Sequence, residues 1–265
     1  MLKTKRITII GTGNLGTSIA RGLLKDNFPP SSITTTDRKL EQMEALANEG
    51  VNTTTDNCAA VKEADIVIMA VKPYTIESIL DEINTSFKPG QILVSVVSGI
   101  SIEKIKSHIT IENITVIRVM PNTAIAINES MTCIAAPDAT EEQKELMKQL
   151  FSGLGETIFI NEDMVDAATV LAACGIAFAM RFIRAMVQGG IEIGFSAKVA
   201  KLIANQTVKG AAELLIQNSL HPEEEIDKVT TPKGYTISGL NEMEHNGFSS
   251  SLIKGILTSF NKIEK

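Results

Sequence analysis

The sequence predicts an α/β protein, with a doubly wound sheet at the N-terminus and an all-helical domain after it. Three observations carry that expectation. Short apolar runs alternate with helical stretches from Arg6 to Ile160. The first run breaks at a glycine-spaced turn, Gly11-Thr-Gly-Asn-Leu-Gly16. From Met164 onward helical patterning continues without a convincing strand. The chain has 265 residues and is 44% hydrophobic, more than one typical domain and enough for a sizeable core. The division is expected at residue 162, giving domains 1–162 and 163–265.

The glycine turn makes specific demands. Ile7 to Ile10 suits a buried parallel strand, and the helix that follows should run from Asn14 to about Lys25. In a G-x-G-x-x-G turn between strand and helix, the first glycine permits the tight turn. The second lets a pyrophosphate approach the backbone, and the third lets the helix lie close on the strand. The free amides at the helix start then form an anion site. This is the Rossmann-like arrangement for a dinucleotide; a plain tight turn between strand and helix has the same pattern.

After the loop Asn27–Pro30, Ile33 to Thr36 is a second strand ending in Asp37-Arg38-Lys39. An acidic residue there holds the adenosine ribose of NAD, whereas a neighbouring arginine receives the extra phosphate of NADP. Both are present, which favours NADP slightly, and Asp37 also suits the cap of a helix from Arg38 to Glu49. Val51 to Thr54 is a third strand, and Asn57 opens a short helix. Ala64 to Ala70 reads as a central strand buried on both faces, stopped at Val71-Lys72-Pro73. Ile92 to Val97 ends in Ser98-Gly99, and Thr115 to Met120 runs into Pro121-Asn122-Thr123. Small and polar residues at successive strand ends, Ser98, Gly99, Asn122 and Thr123, suit a nicotinamide pocket and suit ordinary loops equally. Ser130 to Ala136, a helix from Thr140 and the strand Thr157 to Ile160 complete the sheet.

The second half is apolar and alanine-rich, which predicts a helical domain covered partly by another subunit, most simply in a homodimer. Two long helices are expected, with Gly189-Gly190 and Gly194 as interruptions. The most apolar segment, Ala167 to Met180, ends at Arg181, short of the roughly 18 residues of a membrane span. Net charge is −6, against a nucleic-acid or anionic-membrane partner. Three widely spaced cysteines, Cys58, Cys133 and Cys174, read as reduced, mostly buried thiols, and no metal-ligand spacing occurs. No secretory signal pattern opens the chain, so a cytoplasmic location is expected. Near the end, Val229-Thr-Thr231-Pro-Lys-Gly-Tyr-Thr236-Ile makes a turn before a helix. Its hydroxyls suit helix capping, the ordinary role, and the same free amides can hold a carboxylate. The three histidines, His108, His221 and His245, sit near helix ends and suit structural or exposed roles.

Taken in order, Gly11–Gly16, Ala70-Val-Lys-Pro73, Arg118-Val-Met-Pro-Asn-Thr123, Asn205–Ala212, His221-Pro222 and Val229–Ile237 resemble the markers of pyrroline-5-carboxylate reductases across nearly the whole chain. The resemblance implies an NAD(P)H-binding Rossmann domain, a helical dimerisation domain and a substrate site between them, often completed by the partner subunit. The implied reaction reduces the C=N bond of 1-pyrroline-5-carboxylate, a cyclic imine carboxylate, to L-proline. By position, Gly11, Thr12, Gly13, Asn14, Leu15 and Gly16 would hold the pyrophosphate of NADPH or NADH. Asp37, Arg38 and Asn57 would meet the adenosine side, and Val71, Lys72, Pro73, Ser98, Met120 and Asn122 would line the cofactor. Thr231, Lys233, Gly234, Tyr235 and Thr236 would bind the substrate carboxylate, with Thr236 close to the imine nitrogen in an orienting, hydrogen-bonding role.

Two segments depart from the family. A Ser-Gly-Ser-Gly-Pro-Ala-Tyr type segment is Ala172-Ala-Cys-Gly-Ile-Ala-Phe178 here, and Ser-Pro-Gly-Gly is Thr231-Pro-Lys-Gly234. Lys233 either adds a cation for the carboxylate or forces a backbone change if that position needs positive φ. A β-hydroxyacid dehydrogenase has the same two-domain plan but needs a lysine on the interdomain helix, and none lies between Asn161 and Gln188. A non-catalytic NAD(P)-binding regulator is the remaining alternative.

Overall fold

The computed structural model describes residues 2–263. Eight strands form one sheet: β1 (Ile7–Ile10), β2 (Ile33–Thr36), β3 (Asn52–Thr54), β4 (Ile66–Met69), β5 (Ile92–Ser95), β6 (Thr115–Met120), β7 (Ser130–Ala135) and β8 (Gly155–Phe159). Their order is β3-β2-β1-β4-β5-β6-β7-β8, and β6/β7 is the antiparallel pair. The first six follow the doubly wound order, in which the chain reverses direction across the sheet between β1 and β4 and leaves a crevice at the strands' carboxyl ends. β1, β4 and β5 are buried along their whole length, as apolar strands covered on both faces must be.

The intervening helices are α1 (Asn14–Lys25), α2 (Glu44–Asn48), α3 (Asn57–Glu63), α4 (Ile76–Ile83), α5 (Ile102–Lys106), α6 (Glu141–Ser152) and α7 (Val165–Ala168). They divide the core in two. On one face Ile19 and Leu23 of α1 and Leu150 and Phe151 of α6 meet Ile9, Ile68 and Val94. On the other, Ile76, Leu80 and Ile83 of α4 meet Ile10, Val67 and Leu93. α6 begins where Thr140 suggests, with Thr140 and Gln143 capping each other's backbone amides. The expected helix from Arg38 to Glu49 is instead a 3-10 turn, Leu40–Met43, followed by α2, and no side chain caps either piece.

The long helical run Glu162–Glu192 spans 31 residues at mean hydropathy 1.8, long and apolar enough by length and composition to cross a membrane. This corrects the reading of the segment as too short for a span, because counting only the uncharged stretch Ala167 to Met180 leaves out helical turns on both sides of it. Its start is fixed to the sheet. Val165 packs with Met120, Cys133 and Ala135. Arg118, its side chain 5% exposed, pairs with Asp166 at 3.1 Å and Glu162 at 3.6 Å. Thr169–Cys174 is wound as a π-helix, so the first departure from the family pattern begins within an overwide turn.

A second compact unit is Gly175–Ser259, beginning later than the division at 162 because those first helical turns stay with the sheet. It contains α8 (Gly175–Glu192), α9 (Ala197–Asn218), α10 (Pro222–Val229), α11 (Tyr235–His245) and most of α12 (Phe248–Ile263). Gly189 and Gly190 do not interrupt α8; a Cβ at Gly190 would lie 3.0 Å from the Ala200 Cβ, so this glycine lets α9 approach closely. Gly194, at φ +110°, is the true stop. Large apolar side chains in this unit face solvent, Leu202 at 70%, Ile216 at 72% and Ile193 at 77%. Two of these lie on α9 and one in the loop before it, and apolar side chains exposed to this extent call for a cover.

Candidate functional site

A cleft of about 820 Å³ opens at the carboxyl ends of β1, β2, β4 and β5, within the size range of cofactor sites. It is lined by Gly11, Gly13, Asn14 and Leu15 of the glycine turn, by Asp37, Arg38 and Asn57, by Val71, Lys72 and Pro73, and by Ser98. Thus most residues expected at a dinucleotide are brought together by the fold.

The three glycines have different reasons. Gly11 takes φ +97°, and a Cβ there would lie 2.6 Å from the Ala70 carbonyl oxygen. At Gly16 a Cβ would collide with the Gly11 carbonyl, so α1 can seat only without a side chain. Gly13 meets nothing within 4 Å, so a side chain there would project into open space. Gly13 is also the N-cap of α1, and no side chain caps the helix. Open space over uncapped amides is a cradle that fits a pyrophosphate.

Thr12 does not line the cleft; it is buried and donates through its backbone N–H at 3.0 Å and hydroxyl at 2.9 Å to Asp37. Burial pushes the Asp37 carboxyl up, but the bonds from Thr12 and from the Arg38 and Lys39 amides outweigh it and hold the group below its ordinary value. Asp37 therefore serves the glycine turn and not a helix cap. A lowered folded-state pKa stabilises the protein above the ordinary value of 3.8, and that contribution is lost as acid titrates the folded group below it. Urea unfolding of the wild type and Asp37→Asn across pH should show a stability gap at neutral pH that closes in that acid range.

Asn57 is held from both sides, accepting from the Thr36 hydroxyl at 2.6 Å and donating to Glu82 at 3.2 Å. Besides Thr12 and Gly16, two further expected residues are outside the cleft lining. The Met120 side chain is in the core with Cys133, Ala135 and Val165. Asn122 caps the 3-10 turn Thr123–Ile127 and donates to the Ala172 carbonyl at 3.3 Å, so it ties β6 to the π-turn. From that segment Thr123 is the residue at the cleft. Gln42, Tyr74 and Glu82 also line the cleft and were not expected. Tyr74 directly follows the Ala70–Pro73 marker, whereas Gln42 and Glu82 stand in stretches without a motif and only the meeting of strand ends reveals them. Of the cysteines Cys133 is buried, its thiol pushed up by burial, while Cys58 and Cys174 are half-buried. No metal-binding cluster occurs among the described residues.

In the second unit, Thr231-Pro-Lys-Gly234 forms a turn closed by the Gly234 N–H donating to the Thr231 carbonyl at 2.9 Å. Proline second and positive φ third is the type II pattern. Lys233 occupies that third position at φ +60°, so the lysine adopts the conformation a glycine would favour and the turn is kept. Lys233→Gly should raise stability by about 1 kcal/mol, read as a higher urea midpoint at unchanged slope. A Cβ at Gly234 would lie 2.5 Å from the Thr231 hydroxyl, so this second glycine is required. Gly234 is the N-cap of α11 and no side chain caps it, against the capping role expected of the threonines. The hydroxyls of Thr231 and Thr236 have no partner among the described residues. Tyr235, 99% exposed, stands beside them. His221, by contrast, does cap α10, accepting from the Glu223 N–H.

The sheet order, the glycine turn and the cleft at the β1/β4 crossover define a dinucleotide-binding protein of the Rossmann type. Comparison with known proteins narrows this. Residues 162–265 match the family model "Pyrroline-5-carboxylate reductase dimerisation", and residues 6–99 match "NADP oxidoreductase coenzyme F420-dependent". The chain is 48% identical to pyrroline-5-carboxylate reductase 1 of Dictyostelium discoideum over 97% of its own length and 49% of that protein. It thus spans about half of that relative. It is 44% identical to pyrroline-5-carboxylate reductase 2 of the same organism, covering 98% of this chain and 93% of the other. The solved 1-pyrroline-5-carboxylate reductase of Streptococcus pyogenes superposes with TM-score 0.87 at 27% identity, covering 98% of each chain. The chain belongs to the pyrroline-5-carboxylate reductase family.

Proposed function

We propose that this chain reduces the C=N bond of 1-pyrroline-5-carboxylate to L-proline, with NADPH or NADH bound in the β1/β4 cleft. Residues 1–162 form the cofactor domain and residues 163–265 the dimerisation and substrate domain. The observation that carries the proposal, given the family, is the Thr231–Gly234 turn. It keeps the backbone of a Ser-Pro-Gly-Gly turn despite Lys233 and leaves the first amides of α11 uncapped for a carboxylate.

When bound, the nicotinamide supplies a hydride. The residues of this chain position the reactants. Gly13 and the α1 amides hold the pyrophosphate, Arg38 and Asn57 the adenosine side, and Val71, Lys72, Pro73, Ser98 and Thr123 the wall of the cleft. The amides of Tyr235 and Thr236, the Thr231 hydroxyl and the Lys233 cation bind the substrate carboxylate. Thr236 orients the imine nitrogen by a hydrogen bond. The nitrogen takes its proton from solvent or already carries it, so no strong protein acid is required, and positioning supplies much of the rate.

The β-hydroxyacid alternative needs a lysine base, and the run Glu162–Glu192 contains none. The test is steady-state kinetics. NADPH should be consumed with pyrroline-5-carboxylate, one proline forming per NADPH, whereas NADP⁺ with β-hydroxyacids should give no turnover. Tight NADPH binding without turnover on the imine would overturn the proposal. The apolar faces of α8 and α9 are covered in a homodimer, so light scattering at micromolar concentration should give twice the chain mass or a multiple of it. A monomeric mass would contradict that assembly.

A further inference from the structure

Resting on the reaction proposed above, we propose that Arg118 and Asn122 are positioning residues for hydride transfer, which pin the first turns of the long helical run to the end of β6 and fix where that run leaves the sheet. The observation is a stripe of side chains. Successive residues of a strand alternate between its faces. Ile117 and Val119 face the core under α1 and α6, so Arg118 and Met120 share the other face with Asn122, whose backbone is still extended at φ −122°. All three meet the run that starts at Glu162. Arg118 donates through Nη2 to Asp166 at 3.1 Å, and its Nη1 lies 3.6 Å from Glu162. Met120 packs with Val165. Asn122 Nδ2 donates to the Ala172 carbonyl at 3.3 Å. These contacts follow one another along the run, and the first compact unit ends just past the last of them, at Cys174.

The same side chains reach the cleft. Asn122 Oδ1 accepts from the Ala124 N–H at 3.0 Å and so caps the turn that carries Thr123, a cleft residue. Glu162 Oε1 accepts from the Ile102 N–H at 2.6 Å, at the end of the loop that carries Ser98, another cleft residue. Stability alone is a weak reason for the ion pair. Arg118 is buried, and its Nε has no hydrogen-bond partner among the described residues. A buried pair often stabilises no more than apolar side chains of similar volume. What directional bonds add, and non-directional apolar contact does not, is register. Register matters to this reaction, because a misplacement of about 1 Å can slow a positioned step about 100-fold.

The experiment compares the full-length wild type with Asn122→Asp, Arg118→Met and the double variant Arg118→Met/Asp166→Leu. It reads urea unfolding, NADPH binding, kinetics with pyrroline-5-carboxylate, and the isotope effect of NADPH deuterated at the transferable position. Asn122→Asp keeps the cap and loses the donor to Ala172. NADPH affinity should stay within about twofold of wild type while kcat falls about 10-fold or more and the isotope effect grows, because only the hydride step is slowed. Arg118→Met leaves Glu162 and Asp166 without their cation and should lower the urea midpoint as well as kcat. The double variant should bring the midpoint back close to wild type without restoring kcat. Recovery of kcat together with the midpoint would overturn the inference, since the ion pair would then only hold the fold. So would a loss of NADPH affinity in Asn122→Asp as large as its loss of kcat, which would make Asn122 a cofactor ligand. If Arg118→Met does not fold, the double variant and Asn122→Asp decide. A wild type that binds NADPH without turnover refutes the reductase reading instead. Amide exchange then tests the pins: at Thr169–Cys174 it should be about 10-fold faster in Asn122→Asp, and unchanged exchange would contradict them.

Discussion

Gly13→Trp is expected to abolish dinucleotide binding without unfolding the protein. A Cβ at this position meets nothing within 4 Å, so the indole enters the cleft over the uncapped start of α1 and displaces the pyrophosphate. NADPH affinity should fall by about 100-fold or more, equivalent to at least roughly 2.7 kcal/mol. Urea stability should change by less than about 0.5 kcal/mol, as for a substitution into open space. The neighbouring Gly11→Ala should behave in the opposite way. There φ is +97° and a Cβ lies 2.6 Å from the Ala70 carbonyl oxygen, so the loss appears first in stability. Isothermal calorimetry beside urea titration separates the two. A Gly13→Trp protein that binds NADPH normally would remove the cleft from the mechanism.

The second large effect is expected at Thr236. Its hydroxyl is exposed and has no partner among the described residues, so nothing in the folded chain depends on it. Thr236→Ala should leave stability and NADPH affinity unchanged while kcat falls about 10–100-fold, the scale of a hydrogen bond to a group carrying charge in the transition state. Thr236→Ser, which keeps the hydroxyl, should restore most of the rate. A loss that Ser does not rescue would mean that the methyl group or the helix start matters, and the orienting role would be wrong.

Much of the cofactor half was legible because its constraints are local. The break from Ile10 to Gly11, the buried run before Val71 and the Thr140–Gln143 pairing each follow from a few adjacent residues. What was not legible depends on residues far apart in sequence. Asp37 meets Thr12 across 25 positions, a contact that ties the end of β2 to the glycine turn and that no local pattern announces. Met120 and Asn122 stand at a strand end, as expected of cleft residues. Yet the start of the long helix covers one and its Ala172 carbonyl engages the other. The conformation of Lys233 could be posed from sequence only as two alternatives, because a lysine can take positive φ at a cost when the turn demands it. The apolar segment was counted only as far as Arg181 and so fell short of a membrane span, although the helical run continues to Glu192. A helix ends at unsatisfied caps, and a single cation on its surface does not stop it.

The proposed reaction passes a hydride from NADPH to the imine carbon of 1-pyrroline-5-carboxylate. The most direct measurement supplies NADPH deuterated at the transferable position with unlabelled pyrroline-5-carboxylate and examines the product by mass spectrometry and NMR. Proline carrying one deuterium on its δ-carbon, the former imine carbon, and none on the α-carbon is the predicted result. Unlabelled proline, or consumption of NADPH without proline, would contradict it.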